Sequence, residues 1–124
     1  MTVKGSCHCG ATQFTLEKAP ETVTRCTCSI CSKRGALWAY YTPDQIVFDP
    51  ANDPAKDSEY RWQSRMVGLH FCNGCGCTTY NVSPSWVDYK PDFDHPQIAI
   101  NARLLEGFDL DAVPVQVLDG RNLW

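Results

Sequence analysis

The chain has 124 residues, 44% of them hydrophobic, with 11 Lys and Arg against 14 Asp and Glu and a formal net charge of −3. That length and apolar content fit one domain, residues 1–124, with a modest core. No apolar run approaches the ~18 residues that cross a bilayer, and an acidic chain has no global basic field for nucleic acid, so we expect a cytoplasmic protein with neither membrane nor nucleic-acid partners, and leave a homo-oligomer open.

In chain order, the first feature is Cys7-His8-Cys9, followed at once by Gly10. A short run at residues 12–16 alternates apolar and polar side chains and reads as a strand. Next comes Cys26-Thr27-Cys28-Ser29-Ile30-Cys31, flanked by Arg25, Lys33 and Arg34. In a strand, Cys26 and Cys28 would share a face while Thr27 points away, and Cys31 would return after a turn. Residues 29–35 can form one short helical turn. Further strands are expected at residues 37–41, Ile46–Phe48, residues 60–62, 66–71, 98–104 and 113–118. Turn signals rich in Pro, Gly, Asn and Asp separate them, at Pro43-Asp44, residues 49–54 and residues 83–96. Between the last two stretches stands a third cluster, Cys72-Asn73-Gly74-Cys75, with Gly76 behind it and Cys77 beyond. No segment has the pattern of a long amphipathic helix, so the class is mainly β.

Seven of the eight cysteines thus fall into three tight clusters, the spacing from which tetrahedral thiolate sites are made. Gly10 and Gly76 stand alike behind the first and third clusters. A natural division is one four-thiolate zinc site from Cys7, Cys9, Cys72 and Cys75, and one three-thiolate zinc site from Cys26, Cys28 and Cys31. Four ligands close a structural site, whereas a catalytic site keeps a position for substrate. The same strand parity turns His8 away from Cys7 and Cys9, and His70 and His95 have no partner at ligand spacing. Cys77 can complete the middle site, react with substrate or lie buried as a small hydrophobe, the last being the default for such a thiol. A disulfide framework is the competing reading of eight cysteines, but Met1-Thr2-Val3-Lys4-Gly5-Ser6 carries no apolar signal-peptide core and points away from an oxidising compartment. Ferredoxin spacings for an iron–sulfur cluster are not met either.

With these residues in view, the sequence resembles the glutathione-dependent formaldehyde-activating family. The resemblance is carried, in order, by Gly5-Ser6-Cys7-His8-Cys9-Gly10, Cys26-Thr27-Cys28-Ser29-Ile30-Cys31, His70-Phe71-Cys72-Asn73-Gly74-Cys75-Gly76-Cys77, Ile100-Asn101-Ala102-Arg103-Leu104-Leu105 and Asp119-Gly120-Arg121. It implies an Mss4-like zinc-binding fold of small antiparallel sheets with little helix. It also implies a structural metal on Cys7, Cys9, Cys72 and Cys75 and a labile, catalytic-type metal on Cys26, Cys28 and Cys31. The activity it implies is a carbon–sulfur lyase type reaction in which glutathione and formaldehyde combine reversibly to S-hydroxymethylglutathione.

The residues themselves suggest how such chemistry would run. Two zinc ions among seven thiolates leave an excess of negative charge, so nearby cations matter. Arg25, Lys33, Arg34 and Arg103 are candidates to hold the carboxylates of glutathione; the first three can equally screen the cluster's charge or be solvated surface, and the ordinary role of Arg103 is a structural ion pair. A three-thiolate zinc is a weak Lewis acid, which favours activating the substrate thiol over polarising the aldehyde. Trp38, Tyr40 and Tyr41 either wall a pocket or fill the core. The alternative from another class is a non-enzymatic zinc-binding interaction module of the same fold, in which Cys77 would close the second site.

Overall fold

In the computed structural model, which describes residues 2–88 and 90–123, strands dominate and helix is confined to short segments. Strand β1 (Val3–Ser6) pairs antiparallel with β2 (Gln13–Leu16). Their connection holds the first cysteine cluster. At Gly5 a Cβ would fall on the Phe14 ring, so the strand needs glycine there to let that ring into the core. Strand β3 (Val23–Cys26) leads into the six-residue helix α1 (Ser29–Arg34), which the left-handed Gly35 ends at φ 68°. Strands β4 (Trp38–Tyr41), β5 (Ile46–Phe48), β6 (Asp57–Tyr60) and β7 (Gly68–Cys72) follow. The long strands β8 (Thr78–Val87) and β9 (Lys90–Asn101) form a hairpin with a register shift at Pro84/Ser85. Strand β10 (Val115–Leu118) and the one-turn helix α2 (Gly120–Leu123) complete the chain.

Three strands form a small sheet in the order β1-β2-β5, and seven form a larger one in the order β10-β3-β4-β9-β8-β7-β6. Every pairing is antiparallel except that of β10 with β3. Where β4 pairs with the last residues of β9, both faces bury side chains and only Tyr40 stays exposed, which is why Trp38-Ala39-Tyr40-Tyr41 and Ile98-Ala99-Ile100 read as near-continuous apolar runs. Odd and even positions go to different cores. Ala39, Tyr41, Ile98 and Ile100 join Phe14, Leu16 and Ile46 of the small sheet in the main core. Trp38 and Ala99 turn to the opposite face and pack with Cys26, Cys28 and Ala36 in a second cluster, joined by Ile30 and Cys31 of α1.

Several expected elements shift. The strand expected at residues 60–62 is β6 at Asp57–Tyr60, because its pairing with β7 sets Asp57 opposite Cys72 and Tyr60 opposite Leu69. The stretch 83–96, rich in Pro and Asp and read as a turn, is mostly the outer half of the β8–β9 hairpin. Paired prolines survive there because Pro84 stands opposite Pro96 beside the register shift, where the ladder is already interrupted. Strands β1 and β3 and the first half of β8 lie outside the runs expected from alternation.

Candidate functional site

The first cluster is assembled from two turns of matching form. After β1, Gly10 at φ 80° returns its N–H to the Cys7 carbonyl at 3.1 Å, and after β7, Gly76 at φ 81° returns its N–H to the Cys72 carbonyl at 2.8 Å. Left-handed backbone at those two points is what glycine supplies and other residues resist. The turns face each other, so that Cys9 Sγ lies 3.7 Å from Cys7 Sγ and 3.6 Å from Cys72 Sγ. With Cys75, all four sulfurs lie within 4.8 Å of one another. A tetrahedron with metal–sulfur bonds of ~2.3 Å has edges of ~3.8 Å, so the donor set fits a four-coordinate thiophilic ion. The Thr12 N–H also points to Cys7 Sγ at 3.4 Å, stabilising charge on that sulfur.

The second cluster is local in sequence. Cys26 ends β3, Cys28 is the N-cap of α1, and Cys31 lies in its first turn, with their sulfurs again within 4.8 Å of one another. Cys26 and Cys28 therefore do not share a strand face as parity suggested. Thr27 donates its N–H to the Leu118 carbonyl at 3.0 Å, at the end of β10, and beyond it the chain turns into α1. The cap itself is a thiol: Cys28 Sγ accepts the Cys31 N–H at 3.4 Å. Cys26 and Cys28 are buried, and Cys31 is partly exposed.

Crowded acids cannot all ionise side by side without a cation, and both clusters show the effect. In the first, desolvation works against Cys75, but the N–H groups of Cys77 and Cys9 and the neighbouring thiols outweigh it and bring its pKa down to about 6. The Ala11 N–H favours ionised Cys9, yet Cys72, burial and the other thiols push Cys9 up to about 11. In the second, burial and then the charge of Cys26 hold Cys31 well above the ordinary thiol range. Cys28 is lowered: desolvation opposes ionisation, and the N–H and thiol of Cys31 overcome it. A bound metal ion would remove this conflict in both places.

Beside the second cluster is a cavity of about 160 Å³ lined by Cys26 and Cys31, with Arg25 and Arg103 at its rim. Arg103 is aimed by its neighbours. Asn101 is buried, donates Nδ2 to the Thr78 carbonyl at 2.9 Å and accepts the Arg103 N–H at 3.2 Å. Arg103 Nε in turn donates to the Gly35 carbonyl at 2.9 Å, fixing the guanidinium against the end of α1. No carboxylate pairs with Arg25 or Arg103 among the described residues. Lys33 is exposed on α1, and Arg34 lies away from the cavity with its guanidinium 5.5 Å from the centre of the Phe71 ring.

The Asp119-Gly120-Arg121 segment acts as a clamp. Asp119 accepts from the Asn122 side chain at 2.9 and 3.0 Å, and the Arg121 N–H reaches Thr27 Oγ1 at 3.3 Å, between two cysteines of the second cluster. Of the three aromatics after that cluster, Trp38 and Tyr41 are core residues, and Tyr41 donates its hydroxyl to the Lys18 carbonyl at 2.9 Å. Tyr40 stays on the cluster's side of the sheet, where burial, then the charges of Cys26 and Cys31, push its hydroxyl up to about 12. Cys77 belongs to neither group of converging sulfurs. It follows Cys75 at the first cluster, and its carbonyl accepts the Cys72 N–H at 2.9 Å. His8 is exposed on the first turn. His70 has partners that spacing did not reveal, Asp57 at 2.8 Å and Glu59 at 3.2 Å, because β6 and β7 bring them across the sheet.

Comparison with known proteins gives a family and a shared fold. The family model described as glutathione-dependent formaldehyde-activating enzyme matches residues 2–90. A Halomonas elongata protein named provisionally as a glutathione-dependent formaldehyde-activating enzyme is 30% identical over 103 residues, 77% of this chain. The chain matches 63% of that relative's length. A crystal structure of a Rhodobacter sphaeroides protein superposes with a TM-score of 0.69 at 26% identity, covering 91% of this chain and 99% of that one.

Proposed function

Because the chain belongs to the glutathione-dependent formaldehyde-activating family, we propose that it is a zinc-dependent carbon–sulfur lyase type enzyme that joins glutathione and formaldehyde reversibly to S-hydroxymethylglutathione. Cys7, Cys9, Cys72 and Cys75 would hold a structural zinc, and Cys26, Cys28 and Cys31 a labile one. At the second cluster the metal would supply a positive charge that lowers the pKa of an incoming thiol.

The observation that carries the reading is the contrast between the clusters: four thiols converge in the first, while three converge in the second, with Cys31 partly exposed at a cavity rimmed by two unpaired arginines. The chain's own residues divide the work. Cys28, capping α1, ties the second cluster to the helix that carries Cys31, Lys33 and Arg34. Arg103, held by Asn101 and Gly35, presents its outer nitrogens to a substrate carboxylate, and Arg25 offers a second cation across the cavity. Trp38 and Ala36 pack beneath the sulfurs and exclude water from that side. In the reaction the glutathione sulfur bonds to the formaldehyde carbon, the carbonyl electron pair moves to oxygen, and the proton lost from sulfur is balanced by one gained on oxygen.

Nuclear magnetic resonance exchange between free and hydroxymethylated glutathione, at fixed pH and formaldehyde, tests this directly. Metal-loaded wild-type protein should exceed the uncatalysed rate, Cys28→Ser should not, and binding should weaken with salt as the arginine contacts are screened. No rate above background in fully metallated protein, together with no glutathione binding, would reject the substrate pair and favour a non-enzymatic zinc module.

A further inference from the structure

The two edges of the large sheet are unlike. At one, β6 carries Asp57 and Glu59, charges that keep another strand from adding there. At the other, β10 reads Val115-Gln116-Val117-Leu118, with no charge along it and β3 as its one strand neighbour among the described residues. Val115 is 47% exposed and Val117 57%, and Gln116 is exposed as well.

The ladder decides which backbone groups of β10 are open. The Pro114 carbonyl accepts the Val23 N–H at 3.1 Å and the Leu118 carbonyl accepts the Thr27 N–H at 3.0 Å, so the even-numbered residues turn their backbone groups to β3. Val115 and Val117 alternate with them and turn theirs outward. A row of open N–H and C=O groups beside exposed valines is a template for one more strand.

The side chains specify which strand. Register sets Val115 beside Val23 and Val117 beside Arg25, so both valines stand on the face of the main core, past its rim, while Gln116 and Leu118 point to the other face. An antiparallel copy of β10 centred on Gln116 places Val115 against the copy's Val117 and Val117 against the copy's Val115. Each pair exchanges both backbone bonds, and the valines of the two copies close into one apolar patch. Gln116 meets Gln116, an amide that both donates and accepts. Centring on Val115 or Val117 instead sets Gln116 against Pro114 or Leu118 and one valine against Val113 or Asp119. Charge selects the same direction. Asp109 and Asp111 precede the strand and Arg121 follows it, so antiparallel copies bring Asp111 of one toward Arg121 of the other, whereas parallel copies bring Asp111 toward Asp111. Asp119 is held by the Asn122 side chain, and Arg121 pairs with no carboxylate among the described residues.

We propose that β10 is a self-association surface, at which a second copy of this chain adds its own β10 antiparallel about a two-fold axis at Gln116 and joins the two large sheets into one. Strands of four residues bury less than the ~1,200 Å² of a standard stable interface, so the dimer is weak and forms at high protein concentration.

Sedimentation of zinc-loaded protein from micromolar to near-millimolar concentration should show a reversible monomer–dimer equilibrium. Val117→Pro removes an N–H that has no strand to bond among the described residues, a change an edge strand tolerates, and should weaken the dimer about tenfold or more. Val115→Lys puts a charge on the same edge and gives the same reading if proline disturbs the strand. Arg121→Asp should weaken association, and the added Asp111→Arg should restore it. In amide hydrogen exchange, the Val115 and Val117 N–H groups should become protected as concentration rises, while those of Gln116 and Leu118, turned to β3, stay protected throughout. A monomer at every concentration overturns the proposal, as does a dimer that Val117→Pro and Val115→Lys leave intact. Protection of the Val117 N–H at every dilution overturns it too, because a segment of the same chain would then cover the edge.

Discussion

Replacing Cys72 and Cys28 separately by serine should divide the two clusters by their effect on stability. Cys72 is fully buried, and its sulfur meets that of Cys9, 63 positions earlier in the chain. A cross-link over a loop of that length removes about 4 kcal/mol of chain entropy from the unfolded state, against about 2 kcal/mol for the roughly six-residue span of the second cluster. At ~4 °C per kcal/mol for a chain of this size, Cys72→Ser should lower Tm by about 15 °C and Cys28→Ser by about 8 °C or less. The second figure is an upper bound for a further reason: serine is a good N-cap, so Cys28→Ser removes the sulfur and keeps an acceptor for the Cys31 N–H. Thermal melts by far-ultraviolet circular dichroism, with and without chelator, measure both. Chelation should cost wild type about the sum of the two losses, and should cost Cys72→Ser no more than the ~8 °C carried by its remaining second cluster. Equal losses in the two variants would refute the assignment of a scaffold role to the first cluster alone.

Two further outcomes follow from the same geometry. Cys77→Ser should keep the full zinc content by native mass spectrometry, since Cys77 lies outside both sets of converging sulfurs; release of a whole equivalent would mean that Cys77 is a ligand. Tyr41, buried and with its hydroxyl donated to the Lys18 carbonyl, has its pKa pushed by burial from 10.0 to about 12. A raised folded pKa means that the stability contributed is complete below pH 10 and is lost as pH rises from there to about 12. Alkaline titration should therefore show tyrosinate absorbance rising together with loss of ellipticity in that window, and Tyr41→Phe should delay the transition; ionisation of all tyrosines near pH 10 with the fold intact would contradict this.

The pattern of converging cysteines was written locally. Cys7-His8-Cys9-Gly10 and Cys72-Asn73-Gly74-Cys75-Gly76 each form one tight turn whose geometry depends on the glycine, and residues 26–31 hold a whole cluster within one strand end and one helical turn. Local spacing was therefore enough to separate the cysteines into four and three, and short alternating runs were enough for a mainly β class. Ile46–Phe48 is a strand with the bounds that alternation gave it. Pairing across the sheets decided the rest. The long β8–β9 hairpin runs through a Pro- and Asp-rich stretch because a partner strand supplies what propensity withholds, and that register alone could set Asn81 opposite Ala99. Parity failed at Cys28 for a similar reason: the Leu118 carbonyl, 91 residues away, takes the Thr27 hydrogen bonds, and beyond Thr27 the strand gives way to the helix. The same holds for Arg34 on Phe71, Arg103 on Gly35 and His70 between Asp57 and Glu59. Each depends on segments whose meeting is fixed by burial of two cores on opposite faces of one sheet, and no local spacing encodes that.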